Sequence, residues 1–369
     1  TQSKAMKNIF TLFLFFSSLY TYAQCDGIRY ETPLFDEVEV SSDIIYGANT
    51  NIYNIVEDLK MDVYEPIGDT VSDRALIIFA HGGSFVVGDK ADPSMVLIGT
   101  DFAKMGYVTC SINYRLGITT NPILDLPDSA SSLAAIIRGV HDFKAAMRWF
   151  QQDAIDGENQ FNIDPEKVFI AGFSAGGFIV LHHAYLDEES EWPEFESDVL
   201  GVDGGIEGNS GNPGYSTDFI GGLNAAGAIG DTSWINAGEE PMMSTHGTED
   251  DVVPYGTAML SFSLGSLTIN IAVVHGSSVV HERLDEVGVA NCFTSYAGQG
   301  HVPESDLGSY YDTTFVKTKN FFVSLMCDDE INCDYDEVTS IAESTNNLNH
   351  IRVYPNPFND KITFTDNDM

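Results

Sequence analysis

Apolar positions along this chain follow two periods that replace one another from stretch to stretch. Residues 24–66 alternate apolar and polar (VEVSSDIIYG, then LKMDVYEP), the period of an antiparallel β opening. Ala75 to Ala80 (ALIIFA) and residues 107–115 (YVTCSINYR) are near-continuous apolar runs, which suits strands buried on both faces. Between 129 and 151 the period becomes helical, with Leu133, Ile136, Ile137, Val140, Phe143, Ala146 and Met147 on one face. Lys167 to Gly177 reads as a strand, a sharp turn and the start of a helix. Two more strands are predicted over 218–229 and 240–246, a helix over 277–287, a strand over 291–298 and an amphipathic helix over 311–326. Strands alternating with helices predict an α/β fold, a mainly parallel central sheet with helices on both faces.

The two ends depart from this rhythm. Met6-Lys7-Asn8 precedes IFTLFLFFSSLYTYA, which reads as a signal peptide cleaved near Ala23. The apolar run is shorter than the roughly 20 residues a spanning helix needs, so no stable membrane insertion is expected after cleavage. The organisation expected is therefore upstream residues and signal peptide over 1–23, one α/β domain over 24–326, an acidic linker over 327–349 and a short β-like segment over 350–369. The product would be secreted or held at the cell surface.

Length and composition fit this picture: 369 residues with 43% hydrophobic side chains can bury a large core. The formal charge of −38 rules out unaided binding of nucleic acid and disfavours polyanionic substrates. Five cysteines in an exported chain permit disulfides and leave at least one thiol free; Cys110, in mid-strand, reads as a small buried core residue. Cys327 and Cys333 are near enough in sequence for a local loop, and spacing alone leaves the pairing open. Asp328, Asp329, Glu330, Asp334 and Asp336 lack the spacing of a calcium loop, and no zinc-type cysteine spacing occurs, so no metal or cofactor is expected.

The chemistry centres on Gly172-Phe173-Ser174-Ala175-Gly176. A serine between two glycines at a strand-to-helix turn presents its hydroxyl at the sheet edge beside the N–H groups of a helix start. Such a hydroxyl needs an imidazole, and the imidazole a carboxylate. Asp250 follows the strand ending at His246-Gly247, and His301 follows the last strand, which puts the three in the order Ser174, Asp250, His301. Asp251 is the alternative acid, although the pattern HG-x-x-D selects Asp250. An oxyanion site would come from Gly82 and Gly83, after the strand ending at Ala80, together with the N–H of Ala175. His81 and His246 read as structural. His182 and His183 on the following helix read as packed or solvated, turned away from the serine. The glycine-rich stretch 201–216 lacks the G-K-[ST] of a phosphate loop and reads as a mobile loop near the site.

Taken together, HGGSF, NYRLG, GFSAGG, HGTEDDVVP and GQGH resemble the carboxylesterase and lipase branch of the α/β-hydrolase superfamily, over about residues 40–326. The resemblance implies an α/β-hydrolase fold and a serine ester hydrolase with Ser174 as nucleophile, His301 as general base and acid, Asp250 as orienting acid, and Gly82, Gly83 and Ala175 as oxyanion donors. Its substrate would be a small-molecule or polymer-borne ester. Ser84 departs from the third glycine common in this branch. Prolyl-oligopeptidase-type peptidases share the triad order, and cholinesterase-like adhesion modules share the fold but lose the serine. VYPNPF, within 350–369, resembles the opening of a type IX secretion sorting domain, which would make the secretion machinery a partner.

Overall fold

The computed structural model describes residues 25–119, 129–191, 204–264 and 267–335. The expected signal peptide, most of the expected linker and the sorting-like segment lie outside them.

An eight-stranded sheet organises the chain, in the order β1-β2-β4-β3-β5-β6-β8-β11. Strands β1 (Val38–Thr50) and β2 (Val56–Pro66) form the antiparallel opening that alternation predicts, and β2 also runs antiparallel to β4 (Val108–Ile112). From there β4, β3 (Arg74–Ala80), β5 (Ile163–Phe173), β6 (Gly221–Ala225), β8 (Met242–Gly247) and β11 (Asn291–Tyr296) are parallel.

The continuous apolar runs have a direct cause, because each face of the sheet carries its own core. Leu76, Ile78, Val168 and Ile170 pack with α2 (Ser129–Asp156) and α3 (Ala175–Tyr185). Ala75, Ile77, Phe79, Phe169 and Ala171 pack on the other face, with Phe102 of α1 (Pro93–Lys104) and Phe322 of the helix Ser309–Met326. Phe169 and Phe322 stack with ring centroids 4.1 Å apart. Helix α4 (Ser277–Val287) joins the first face and α5 (Ser309–Met326) the second.

Two local expectations change, and the structure supplies the cysteine pairing that spacing left open. The strand expected over 218–229 divides: β6 ends at Ala225, and β7 (Ala228–Ile229) belongs to a separate antiparallel sheet with β10 (Leu267–Gly276) and β9 (Thr257–Leu264). Positive φ at Ala226 marks the break between β6 and β7. The glycine-rich stretch is pinned rather than mobile over its described residues 204–216. Ser210 Oγ donates to Asp142 Oδ1 at 2.6 Å, Arg148 Nη1 to the Glu207 carbonyl at 2.9 Å, and Lys144 Nζ to the Ile206 carbonyl at 3.1 Å. The cysteines pair at long range, Cys25 with Cys327 and Cys292 with Cys333, while Cys110 is free and buried. Residues 327–335 of the expected linker are thereby tied to the main body.

Candidate active site

Ser174 stands at the C-terminal end of β5, in the middle of the sheet, as the residue that caps α3. Its φ of 54° and ψ of −114° are strained for a residue with a Cβ, and the surrounding backbone holds it there. Both flanking glycines are sterically required. A Cβ on Gly172 would lie 2.1 Å from the Gly176 carbonyl oxygen, and one on Gly176 would lie 2.0 Å from that of Ala80.

Loops after two other parallel strands bring the partners to this point. The Ser174 hydroxyl lies 2.7 Å from Nε2 of His301, beyond β11, and Nδ1 of His301 lies 2.7 Å from Oδ2 of Asp250, beyond β8. A carboxylate can only accept, so Nδ1 carries the proton and Nε2 is left bare towards the serine. The N–H groups of Val252 and Val253 both donate to Oδ1 of Asp250 at 2.9 Å. Burial works against the Asp250 carboxylate, but hydrogen bonds from His246, His301 and the Val253 amide outweigh it and hold the pKa far below the usual carboxylate range. Asp251 is exposed and lines the cavity beside Val252, without reaching His301.

The loop after β3 approaches from the opposite side. A Cβ on Gly82 would lie 3.2 Å from that of Ser174, so its backbone passes in contact with the serine. Gly83 has φ 116°, and its carbonyl accepts from the amides of Val86 and Val87, both at 3.0 Å. Ser84 and Phe85, at φ 55° and 60°, form the middle of a tight turn of the I′ kind. Ser84 therefore occupies a position that favours glycine, and the substitution costs strain. His81 holds this loop, its Nδ1 donating to the Gly82 carbonyl at 2.6 Å while its ring stacks on Tyr114 at 4.5 Å. Burial pushes the His81 pKa below its ordinary value. Ala175, the first residue of α3, has an amide that helix geometry leaves without an internal partner.

Above the serine lies a cavity of about 820 Å³. Phe85, Leu133, Ile136, Phe178 and Val253 give it an apolar wall, Ser132, Ser190, Glu191, Asp231 and Ser233 a polar one, and the small sheet covers it through Leu260 and Ile271–Val274. The hydroxyl of Ser129 donates to the Ile271 carbonyl and ties the start of α2 to that cover. The covering hairpin escaped sequence reasoning, because it gave no distinct signal. His182 and His183 are packed as expected, His182 against Phe178 and Trp234 at one end of the cavity and His183 against Phe143 and Phe219. The described residues 204–216 do not line the cavity. Among the described residues no group of three or more His, Cys, Asp or Glu side chains is placed to hold a metal ion.

Similarity to known proteins agrees with this geometry. Residues 61–210 match the family model described as BD-FAE. Arylacetamide deacetylase of Oryctolagus cuniculus is 28% identical over 174 residues, which cover 47% of this chain and 38% of the deacetylase. Probable carboxylesterase 7 of Arabidopsis thaliana is 25% identical over 192 residues, 46% of this chain and 56% of the plant protein. The chain thus spans between about two fifths and a little over half of these relatives. The native structure of Thermogutta terrifontis esterase 2 superposes with a TM-score of 0.51 at 21% identity, covering 82% of this chain and 97% of the esterase. The chain has the α/β-hydrolase fold, and its esterase and lipase relatives support the carboxylesterase branch of it.

Proposed function

We propose that the chain is a secreted serine carboxylic-ester hydrolase that works through an acyl-enzyme on Ser174. The observation that carries this reading is the line of two 2.7 Å contacts from Ser174 through His301 to Asp250, placed at the edge of an apolar cavity. The mechanism follows from who can donate. His301 Nε2 takes the serine proton as Oγ attacks the ester carbonyl, and Asp250 stabilises the imidazolium that forms. The tetrahedral oxyanion is met by the amides of Ala175 and of Gly82 or Gly83. His301 then gives its proton to the leaving alcohol, and water repeats the sequence on the acyl-enzyme. The apolar wall favours an uncharged ester, and the carboxylates of Glu191, Asp231 and Asp251 in the lining disfavour an anionic one. Export is supported by the signal-like segment 1–23 and by two disulfides, which persist in oxidising compartments.

Turnover of chromogenic esters of rising acyl length, with an aryl ester and a peptide amide alongside, tests the reading. Hydrolysis of the esters with little or none of the amide is expected. Cleavage of the amide at a comparable kcat/KM, or no ester turnover by folded protein, contradicts it.

A further inference from the structure

His301 sits on a loop that is clasped to the strand and turn leading to Asp250. Ahead of the histidine, the Glu249 amide donates to the Gln299 carbonyl at 2.9 Å and the Gly298 amide to the Thr248 hydroxyl at 2.8 Å. The two loops also touch. A Cβ on Gly247 would lie 2.1 Å from the Gly300 carbonyl oxygen and 2.4 Å from that of Gln299. These contacts fix the chain as it enters His301.

The exit is strained. Val302, directly after His301, adopts φ 46° and ψ 58°, a left-handed conformation that a β-branched side chain disfavours. Such a residue persists only where its surroundings hold it. The Ser305 amide donates to the Val302 carbonyl at 3.1 Å, within the short turn Pro303–Ser305. That bond is local and moves with the turn. Glu304 ties the turn to the sheet: only 1% exposed, it takes the hydroxyl of Thr245, on β8, at Oε1. Thr245 stands directly before His246, on the strand that ends at Gly247. Both sides of His301 are therefore anchored to one strand and its turn. A carboxyl is a costly anchor here, because burial raises its pKa and Oε2 has no hydrogen-bond partner among the described residues.

We propose that Glu304 is a positioning residue. By accepting the Thr245 hydroxyl it sets the strained exit of the loop, and so keeps Nε2 of His301 at 2.7 Å from the Ser174 hydroxyl. It acts through His301 and touches no substrate. The inference rests on the reading of Ser174, His301 and Asp250 as the catalytic groups, and it names what holds the base in line. The accepting oxygen is what matters, rather than the charge.

The test compares Glu304→Leu, Glu304→Gln, Thr245→Val and the double variant Thr245→Val/Glu304→Leu with the native protein. Turnover of one ester and crystal structures are the readouts. Glu304→Leu and Thr245→Val should each lower kcat roughly 10- to 100-fold with KM little changed, since a base displaced by about 1 Å loses rate rather than binding. The double variant should be no worse than either single one, because all three remove the same interaction. Glu304→Gln, whose carboxamide oxygen accepts the same hydroxyl, should recover most of the loss. Should Glu304→Leu fail to fold, the near-isosteric Thr245→Val and Glu304→Gln carry the comparison. In the Thr245→Val crystal, His301 Nε2 should lie beyond about 3.5 Å from Ser174 Oγ. A kcat within about threefold of native in Thr245→Val, losses that multiply in the double variant, or a crippled Glu304→Gln overturns the assignment. So does an unmoved His301 in the Thr245→Val crystal. Because that structure needs no turnover, a native protein that hydrolyses no ester while His301 shifts in the variant counts against the catalytic reading alone.

Discussion

His246 Nε2 lies 3.3 Å from Oδ2 of Asp250, the same oxygen that Nδ1 of His301 approaches at 2.7 Å. The other neighbour of His246 Nε2 is the Val253 carbonyl at 3.1 Å. Both neighbours are acceptors, so Nε2 carries a proton, and Nδ1 is steadied by the Ser277 hydroxyl at 2.8 Å. One carboxylate thus holds two imidazoles, one facing the serine and one buried behind it. His246 is buried, as a structural residue is expected to be, and on the proposed mechanism it supports the carboxylate that orients His301. A hydrogen bond to a charged group is worth about 1.5–3 kcal/mol, so His246→Phe should lower kcat by roughly ten- to a hundredfold with little change in KM. A native kcat in the folded variant would show that the amides of Val252 and Val253 suffice to hold the carboxylate.

The two adjacent acids should separate cleanly. Asp250→Asn replaces the acceptor at Oδ2, favours the wrong tautomer of His301, and should lower kcat by roughly 10⁴. Asp251→Asn changes an exposed side chain at the cavity wall and should cost about tenfold at most. Rates of both variants on one ester decide the matter; a crippled Asp251→Asn beside a healthy Asp250→Asn would reverse the assignment.

Three residues beyond His301, the buried Glu304 takes the hydroxyl of Thr245 on Oε1, while Oε2 has no partner among the described residues. Burial pushes its carboxyl pKa above the ordinary 4.5. The folded form therefore binds this proton more tightly than the unfolded chain, so the stability that Glu304 contributes is full below about pH 4.5 and is lost as pH rises through the elevated folded value. Glu304→Gln cannot ionise and should flatten that decline. Urea midpoints of both proteins across this range give the comparison, and parallel curves would mean the carboxyl is not raised.

Gly176→Ala tests the elbow's steric argument. Its Cβ would meet the Ala80 carbonyl oxygen at 2.0 Å, and the backbone on both sides belongs to core elements. Loss of roughly 1–3 kcal/mol of stability is expected, with a larger loss of activity as Ser174 shifts. Unchanged denaturation and turnover would show that strand and helix can part at this crossing.

How far the chain could be read from residues alone depended on range. Gly172, Ser174 and Gly176 were legible because a turn this tight leaves its demand in a few adjacent positions. Asp250 and His301 were legible because each directly follows a strand, and parallel strands deliver their ends to one edge. The covering hairpin of β9 and β10 was not, because its alternation resembles that of any exposed strand. Whether His182 is packed or solvated depends on Gly230 and Trp234, distant in sequence, that close over it. The pairings of Cys25 with Cys327 and Cys292 with Cys333 are likewise set by segments far apart in sequence that the fold brings together. The strain at Ser84 was hidden for another reason: residue type alone does not reveal a positive φ where a non-glycine has been accepted.

The central claim is that Ser174 carries the acyl group, and the most direct measurement is kcat of purified Ser174→Ala on the best chromogenic ester, with its melting curve recorded beside the native protein's. A triad acts as a unit, so removal of its nucleophile should lower kcat by about 10⁶ while the melting curve keeps its native form. A folded variant that retains more than a few per cent of native turnover would contradict the claim.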